Sequence, residues 1–181
     1  MAPKPPAGAL AHEMTDAEAR TRFAELLAQH RGIVLKVAST FAFGAEDRAD
    51  LAQEIAAQLW RSYPRYDAAR PFATWMYRVA LNVGVSHVRA RKRAGDAEPL
   101  GDELAASAAN AHESLEDAQR IATLERAIAR LARLDRALLL LHLDERSQRE
   151  IGEVLGISES NVATKLSRLR ARLRGELEET R

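Results

Sequence analysis

The residues from Phe72 to about Arg93 constrain the fold most, because their apolar side chains fall on two nearly opposite faces of one helix. At about 100° per residue, one face holds Phe72, Met76, Val79, Val83 and Ala90. The other holds Tyr77, Leu81, Val85 and Val88. A helix that is apolar on two sides has to lie between two neighbours. Only a narrow polar strip remains for the surface, formed by Arg78, Asn82, Arg89 and Arg93 and edged by Trp75 and Ser86.

The remaining chain also has helical spacing, since apolar residues recur at three and four and the alternation typical of strands is missing. Thr15 and Glu18 predict a capping box that starts a first helix. A second helix is expected over 33–43, stopping at Gly44, and a third from a cap at Asp47 or Asp50 to residue 60. Two X-Pro pairs, at 63–64 and 70–71, bracket a loop. Further on, the apolar repeat of 121–134 continues into the leucines of 138–141.

Charge divides the chain into two parts. Residues 95–117 carry seven acids and no Lys or Arg, whereas residues 161–174 carry five cations and no acid. We therefore predict an all-α fold of two small helical domains joined by a flexible acidic linker. The predicted division is a disordered tail at 1–13, a first domain at 14–93, the linker at 94–114 and a second domain at 115–177.

The composition and the motifs exclude several kinds of site and several classes of protein. With no cysteine, disulfides and thiolate metal sites are excluded. The five histidines show no metal-ligand spacing, and no Gly-rich phosphate loop occurs. No stretch reaches the roughly 18 consecutive apolar residues of a membrane span, and the first ten residues lack the apolar core of a signal peptide. We expect a cytoplasmic protein that is not an enzyme, does not insert into membranes, and needs no cofactor and no metal.

Aromatic and basic side chains meet in one segment. All nine aromatic residues lie between Phe23 and Tyr77, and six of them fall within residues 60–77. Four cations then gather at the end of the long helix, namely Arg89, Arg91, Lys92 and Arg93. Flat side chains for bases and cations for phosphates are what a single-stranded nucleic acid requires. The alternative is that the aromatics are core residues and the arginines a solvated edge.

A second nucleic-acid signal lies near the C-terminus. Ser147 and Glu150 predict a capping box for a short helix, Gly156 suits the left-handed residue that ends it, and Ser158 caps the next helix. This is the pattern of a helix-turn-helix, whose second helix enters the major groove. Its polar face predicts a DNA-binding set of Ser160, Asn161, Thr164, Lys165 and Arg168. Within this set, Asn161 and Lys165 can make base contacts. Phosphate contacts are predicted for Arg170, Arg172 and Arg174. The alternative is an ordinary helical hairpin with a basic outer face.

Three strings in this order resemble the bacterial RNA polymerase sigma factors of the extracytoplasmic-function, or group-four, type. Residues 50–55 (DLAQEI), leading to 59–61, look like region 2.2, which docks on core RNA polymerase. Residues 72–82 (FATWMYRVALN) look like regions 2.3 and 2.4, which melt and read the −10 element. Residues 150–158 (EIGEVLGIS), continuing to 172, look like region 4.2, which reads the −35 element. The resemblance covers about residues 20–93 and 115–175.

The resemblance implies a role for individual residues. Asp50, Gln53 and Glu54 would face core polymerase. Asn82, with Trp75 and Arg78, would lie by the −10 strand, and the loop of 66–70 would capture a flipped-out base. The full predicted −10 set is Tyr66, Asp67, Arg70, Trp75, Arg78, Asn82 and Arg89. Core RNA polymerase and promoter DNA are the implied partners, and the family often works under an anti-sigma factor that wedges between the two domains.

The chain also departs from the family pattern. Ala56 replaces the usual aromatic of region 2.2. At the entry to the helix-turn-helix, residues 145–148 read Glu-Arg-Ser-Gln where the family usually has Gly, an apolar residue, Ser and an aromatic. Arg146 therefore forgoes the hydrophobic staple. An alternative function remains open, a stand-alone helix-turn-helix transcriptional regulator whose N-terminal helices sense a ligand or dimerise.

Overall fold

The computed structural model describes residues 15–94, 127–128 and 130–179, and every regular element within these ranges is a helix. The seven longer helices there are α1 (Asp16–Gln29), α2 (Arg31–Phe41), α3 (Ala45–Ser62), α4 (Phe72–Ala94), α5 (Arg133–Leu143), α6 (Gln148–Leu155) and α7 (Glu159–Glu179). A 3₁₀ turn, Tyr63–Arg65, follows α3. The predicted all-α class is confirmed. The predicted tail, and the predicted linker beyond residue 94, lie outside the described residues.

Helices α1–α4 form the N-terminal bundle. The long helix α4 packs against both α2 and α3, and its Met76, Tyr77 and Ala80 are fully buried. Gly84 allows the close approach to α2, because a Cβ atom there would lie 3.0 Å from the ring of Phe41. The two-sided burial predicted for this helix is therefore observed.

The start of α3 differs from the prediction. Its N-cap is Gly44, whose φ of 81° is in the region that favours glycine, rather than Asp47 or Asp50. Asp47 lies inside the first turn, where it accepts the Phe43 N–H at 3.0 Å. The same carboxylate contacts α4, at 2.7 Å from Arg91 Nη1 and 3.0 Å from His87 Nε2. Asp47 therefore joins α3 to α4 instead of capping α3.

The apolar repeat predicted to continue from 121–134 into 138–141 is interrupted. The chain turns at residues 130–132, where Ala132 is extended (φ −59°, ψ 147°), and α5 begins at Arg133. Arg136 supports the break, because its buried guanidinium donates a hydrogen bond from Nε to the Leu131 carbonyl at 3.0 Å. Periodicity does not detect such a break, since apolar spacing is kept across it.

Helices α5–α7 form the C-terminal bundle, which includes the helix-turn-helix of α6 and α7. The Ser147–Glu150 capping box and the left-handed Gly156 (φ 70°) are both present, as predicted. Arg146, in place of an apolar staple, contacts Glu150 and Asp144 at 3.8 and 3.3 Å. The first helix of the motif therefore forms without the usual apolar residue.

The two bundles pack against each other, which the sequence did not predict. Helix α5 contacts α2, and α6 contacts α4. Buried side chains run without interruption from Phe23 in α1 to Leu169 in α7. As a result, one side of α4 faces the C-terminal bundle rather than solvent.

Candidate nucleic-acid and polymerase interfaces

The N-terminal half of α7 presents the predicted −35 set. Val162, Leu166 and Leu169 are buried against the bundle. On the outer side, four of the predicted residues are exposed and Lys165 is partly exposed, the set being Ser160, Asn161, Thr164, Lys165 and Arg168. Ser158 Oγ accepts the Asn161 N–H at 3.3 Å, so the serine cap predicted from the sequence is present. This face has the position that a recognition helix requires.

The cations of α7 fall into two groups. No carboxylate within the described ranges pairs with Lys165 or Arg168. In contrast, Arg170 Nη2 lies 2.8 Å from His142 Nε2, and Arg172 Nη2 lies 3.4 Å from Asp135 Oδ2, both on α5. Arg170 and Arg172 were predicted to contact phosphates. In this structure both contact α5, and their contact with phosphates stays a prediction.

Glycine 152 in α6 was missed by the sequence reasoning. A Cβ atom there would lie 2.7 Å from the carbonyl oxygen of Ile157 in the turn. The Ile157 N–H in return donates to the Gly152 carbonyl at 3.1 Å. The glycine thus sets how closely the two helices of the motif approach. A small residue four positions before the turn glycine is the signal that could have revealed it.

The aromatic cluster is a connected set of rings between α1, α3 and α4. Ring centroids are 5.1 to 6.4 Å apart along the series formed by Phe23, Trp60, Tyr63, Tyr66, Phe72 and Trp75. Phe23 and Phe72 are buried, whereas Trp60, Tyr63, Tyr66 and Trp75 keep part of their surface exposed. The cluster therefore serves partly as core, as the alternative held, and partly as an exposed aromatic surface. Tyr77 is not part of it, because its ring is fully buried toward the C-terminal bundle.

The loop of residues 66–70 is a fixed turn. Tyr66 Oη donates to the Arg70 carbonyl at 2.6 Å, and Asp67 Oδ1 accepts the Ala69 N–H at 3.0 Å. Arg70 Nε lies 4.0 Å from Asp67 Oδ2. Burial, with the nearby charges of Tyr63 and Asp67, raises the pKa of Tyr66, and Arg22 opposes the rise. The structure therefore brings Tyr66, Asp67 and Arg70 together at the edge of the aromatic cluster, next to Trp75.

The α4 strip (Arg78, Asn82, Arg89 and Arg93) is exposed but does not face open solvent along its whole length. Arg78, Asn82 and Arg89 line a cavity of about 410 Å³ whose opposite wall belongs to α5 and α6, including Arg133, Leu134 and Val154. A second cavity of about 630 Å³ lies beside it, lined by Ser86, Arg89, Lys92, Arg93 and Arg133. The strip predicted for the −10 strand is thus next to the C-terminal bundle.

The predicted polymerase-facing residues share the outer side of α3. Asp50, Gln53 and Glu54 are exposed, while Leu51 and Ile55 on the same helix are completely buried. No cation within the described ranges pairs with Asp50 or Glu54. The side is therefore open and acidic.

Asp144, at the end of α5, is a site that the sequence reasoning missed. Its carboxylate accepts hydrogen bonds from Lys36 Nζ of α2, from Tyr77 Oη of α4 at 2.5 Å, and from Arg146 Nη2 at 3.3 Å. Burial acts to raise the pKa of Asp144, but the hydrogen bonds from Lys36 and Tyr77, the charge of Lys36 and the bond from Arg146 together lower it. Burial and the hydrogen bond to Asp144 raise the pKa of Tyr77. An acid at a helix C-terminus, which the helix dipole disfavours, is the signal that could have marked this site.

Within the described ranges, no group of three or more His, Cys, Asp or Glu side chains is placed to hold a metal ion. None of the helices found there has both the length and the apolar character needed to cross a membrane.

These features define a two-part helical protein with a helix-turn-helix and a separate aromatic and basic helix. Comparison with known proteins agrees in both parts. The family described as Sigma-70 region 2 matches residues 26–94, and the one described as Sigma-70, region 4 matches residues 121–173. The chain belongs to the bacterial RNA polymerase sigma factors, of the extracytoplasmic-function type.

Individual relatives are similar over most of their length. RNA polymerase sigma factor CnrH of Cupriavidus metallidurans is 32% identical over 83% of this chain and 84% of its own length. ECF RNA polymerase sigma factor SigW of Bacillus subtilis is 27% identical over 86% of this chain and 88% of its own. A solved structure of CnrH in complex with the cytosolic domain of CnrY superposes with a TM-score of 0.65 at 24% identity, covering 96% of both chains. The sigma factor RpoE in complex with the anti-sigma factor NepR from Bartonella quintana superposes with a TM-score of 0.68 at 19% identity, covering 88% of this chain and 99% of that one.

Membership of the family decides between the two functions that the sequence left open. The chain is a transcription initiation factor that works with core RNA polymerase at promoters, and is not a stand-alone regulator.

Proposed function

We propose that the outer face of α7 reads the −35 element in the major groove. The observation that carries this assignment is the contrast between its two sides. Val162, Leu166 and Leu169 are buried, while the opposite side presents amide, hydroxyl and cationic groups without acidic partners in the described ranges. Asn161 and Arg168 are suited to base edges and Lys165 to a base or a phosphate. Thr164 Oγ1 already donates to the Ser160 carbonyl at 2.9 Å, so it is left with an accepting role.

The outer side of α3 is proposed to bind core polymerase. Asp50, Gln53 and Glu54 offer two carboxylates and an amide on a helix held rigid by its buried face. Such a surface fits a complementary basic patch on the polymerase, and charge complementarity fixes orientation as well as encounter rate.

The α4 strip and the 66–70 loop are proposed to hold the −10 strand. Asn82, Arg78 and Arg89 offer hydrogen bonds to bases and phosphates, and the exposed edges of Trp75 and Tyr66 offer stacking surfaces. The internal hydrogen bonds of the loop keep Tyr66, Asp67 and Arg70 in place before DNA arrives. A base that leaves the stack would be captured there, which offsets part of the few kcal/mol that unstacking costs.

The wider assignment follows from these surfaces. We propose that residues 14–93 form the polymerase and −10 unit, that residues 115–177 form the −35 unit, and that residues 94–114 connect them. The protein acts by binding, without catalytic chemistry of its own, in the cytoplasm where the polymerase is found. An anti-sigma partner is proposed by analogy with the complexes in which the structurally similar CnrH and RpoE were solved.

The experiment that tests the proposal starts with size-exclusion co-elution of the purified chain and bacterial core RNA polymerase. A stoichiometric complex is expected. The complex is then given linear promoter DNA with a fluorescent base at the −10 element, whose signal reports opening. Asn82→Ala is expected to impair opening while leaving co-elution unchanged. Gln29→Ala, which removes an exposed amide on α1, is the matched control and should open promoters normally.

Each arm has an outcome that contradicts the proposal. Failure of the wild-type chain to co-elute, together with tight binding to duplex DNA alone, would indicate a stand-alone regulator. Normal opening by Asn82→Ala would remove Asn82 from the −10 set. Loss of co-elution by the same variant would instead place Asn82 at the polymerase interface.

A further inference from the structure

The cavity beside the end of α4 is lined almost entirely by cations. Arg89, Lys92 and Arg93 of α4 and Arg133, the first residue of α5, surround about 630 Å³ together with Ser86. Residues three and four apart are neighbours on a helix, so the three cations of α4 lie on one side of it. None of the described residues that line the cavity is acidic or aromatic. We call Arg89, Lys92, Arg93 and Arg133 the cationic cluster.

The cationic cluster differs from nearby arginines because no acid balances it. Arg91 lies 2.7 Å from Asp47 on α3, and Arg172 lies 3.4 Å from Asp135 on α5. By contrast, no carboxylate in the part of the chain that the structure describes pairs with any member of the cluster. Like charges around one cavity repel each other, and physiological salt screens the repulsion only beyond about 8 Å. An anion in the cavity would therefore lower the free energy of the folded chain.

The donors that line the cavity are suited to phosphate groups. A guanidinium presents a planar fork that binds two phosphate oxygens at once, and an ammonium adds a compact point charge. Arg93 Nε donates to the Arg89 carbonyl at 3.4 Å, so the terminal nitrogens of Arg93 remain for a ligand. The Ser86 hydroxyl is a further donor at the cavity wall.

The charge and the size of the cavity define the class of ligand. One phosphate group carries about −1.5 to −2 charges at pH 7, so it would balance only about half of the cationic cluster. Sites for small ligands have volumes of about 300–1,000 Å³, so this cavity has room for several linked phosphates. Because its described lining residues include no aromatic ring, the cavity offers no surface on which a nucleobase would stack. The recognised part is therefore a phosphate chain, whether inorganic or part of a nucleotide.

We propose that the cationic cluster is a binding site for a polyphosphate chain of about three linked phosphate groups or more. Arg89, Lys92 and Arg93 hold the chain from α4, and Arg133 holds it from α5. A bound chain occupies Arg89, so this residue cannot contact the −10 strand at the same time. That competition, unlike the site itself, rests on the proposed role of Arg89.

Isothermal titration calorimetry of the full chain tests the site. The probes are inorganic tripolyphosphate, ATP, AMP and sulfate, each at the same ionic strength and without divalent cations. Arg133→Gln removes one cation of the cluster that is not assigned to DNA. Arg31→Gln is the matched control, because Arg31 is an exposed arginine of α2 that does not line the cavity and pairs with no carboxylate among the described residues.

Tripolyphosphate is expected to bind one-to-one, and ATP with similar affinity, since both offer the same chain. AMP and sulfate bring a single anionic group and are expected to bind much more weakly. Arg133→Gln should weaken tripolyphosphate binding about tenfold, the effect of losing one charge-assisted hydrogen-bonding group, and Arg31→Gln should leave it unchanged. The affinity of the wild-type chain should fall as salt is added, because the site is open to screening ions.

Two calorimetric results would overturn the site. One is the absence of saturable tripolyphosphate binding, whether or not ATP binds. The other is equal tripolyphosphate affinity in Arg133→Gln and Arg31→Gln, with far-UV circular dichroism showing native helix content in both. If Arg133→Gln does not fold, Lys92→Gln replaces it, because Lys92 is an exposed member of the cluster outside the −10 set.

The competition is tested with a fluorescent single-stranded −10 oligonucleotide bound to the full chain. Tripolyphosphate should displace it, and Arg133→Gln should require about tenfold more tripolyphosphate. Displacement at equal concentrations in both chains would overturn the competition. Asn82 is not among the residues that line this cavity, so Asn82→Ala should weaken oligonucleotide binding and keep the tripolyphosphate affinity. Oligonucleotide binding that Asn82→Ala leaves unchanged would contradict the −10 assignment, while the calorimetric result for the site would stand.

Discussion

Gly152 in α6 faces the carbonyl oxygen of Ile157 so closely that an added Cβ atom would lie 2.7 Å from it. The obstacle is backbone, which cannot rotate away as a side chain can. The turn between the helices of the helix-turn-helix, and with it the angle at which α7 leaves, is therefore set by the absence of a side chain at one position.

Gly152→Ala is expected to destabilise the protein. Overpacking lowers the free energy of unfolding by about 1–3 kcal/mol, and the higher helix propensity of alanine offsets about 1 kcal/mol of that loss. Thermal unfolding followed by circular dichroism should show a lower Tm. Gly175→Ala in α7, where an added Cβ meets nothing within 4 Å, is the control and should not lower it. An unchanged Tm for Gly152→Ala would show that the turn can shift at little cost.

Glu145 holds a backbone conformation that suits glycine better, with φ of 56°. It stands where the family pattern usually has Gly, and the left-handed region costs an ordinary residue about 1–2 kcal/mol. Glu145→Gly should therefore stabilise the chain by up to about 1 kcal/mol after the greater freedom of glycine in the unfolded state is subtracted. Urea unfolding measures the change. Arg149→Gly, which places a glycine inside α6, is the control, and its free energy of unfolding should fall by about 1 kcal/mol. A loss of stability in Glu145→Gly would contradict this account.

Local signals predicted local structure well. Four features were predicted from patterns within a single helix or its cap, and all four are observed. They are the Thr15 and Ser147 capping boxes, the left-handed Gly156 and the two-sided burial of α4. The predicted cap of α3 and the predicted continuous repeat before α5 were wrong, because the observed structure at both places depends on side chains that the local pattern does not reveal. Asp47 forms an ion pair with Arg91 on α4, and Arg136 donates a hydrogen bond to the Leu131 carbonyl at the break.

Contacts between distant parts of the chain could not be predicted from one sequence. Nothing near Asp144 in the chain indicates that Lys36 and Tyr77 will donate to it, since they lie 108 and 67 positions away. The same limit applies to Arg170 and Arg172, whose partners lie on α5. Side-chain type and spacing identify a polar face, but which cations remain unpaired on it depends on the packed structure. The −10, −35 and polymerase assignments stay predictions.

The titration of Tyr77 gives a pH dependence with a definite sign. Its pKa is raised above the ordinary value of 10.0 by burial and by the hydrogen bond to Asp144, with the charge of Asp144 acting the same way and Arg146 opposing. The unfolded chain therefore loses the phenol proton first. This contribution to stability is fully present below about pH 10 and is lost as the pH rises. Urea midpoints measured from pH 8 to 11 should fall less steeply in Tyr77→Phe than in the wild-type chain. Parallel curves would remove Tyr77 from the alkaline transition.

The two groups of cations on α7 should differ in their response to salt. Lys165→Ala and Arg168→Ala are each expected to weaken −35 binding by the polymerase complex. A lost phosphate contact also reduces the slope of log affinity against log salt by about 0.9. Arg172→Ala is the control, because Arg172 lies 3.4 Å from Asp135 on α5 and should change the slope much less. Fluorescence anisotropy over a salt series measures the slopes. Equal slopes for all three variants would contradict the separation of the α7 cations into a DNA-facing group and a group that contacts α5.

Reversing one charge on the outer side of α3 tests the polymerase assignment with the least effect on folding. Glu54 is exposed above the buried Ile55 and is not paired with a cation within the described ranges, so Glu54→Lys removes no internal contact found there. Placing a cation opposite a complementary basic patch should weaken core polymerase binding at least about tenfold, or ~1.4 kcal/mol. Glu25→Lys makes the same charge change on α1, away from the proposed surface, and should bind normally. Anisotropy of dye-labelled chain titrated with core polymerase gives both affinities. Equal affinities for the two variants would show that the charge of Glu54 does not contribute to docking.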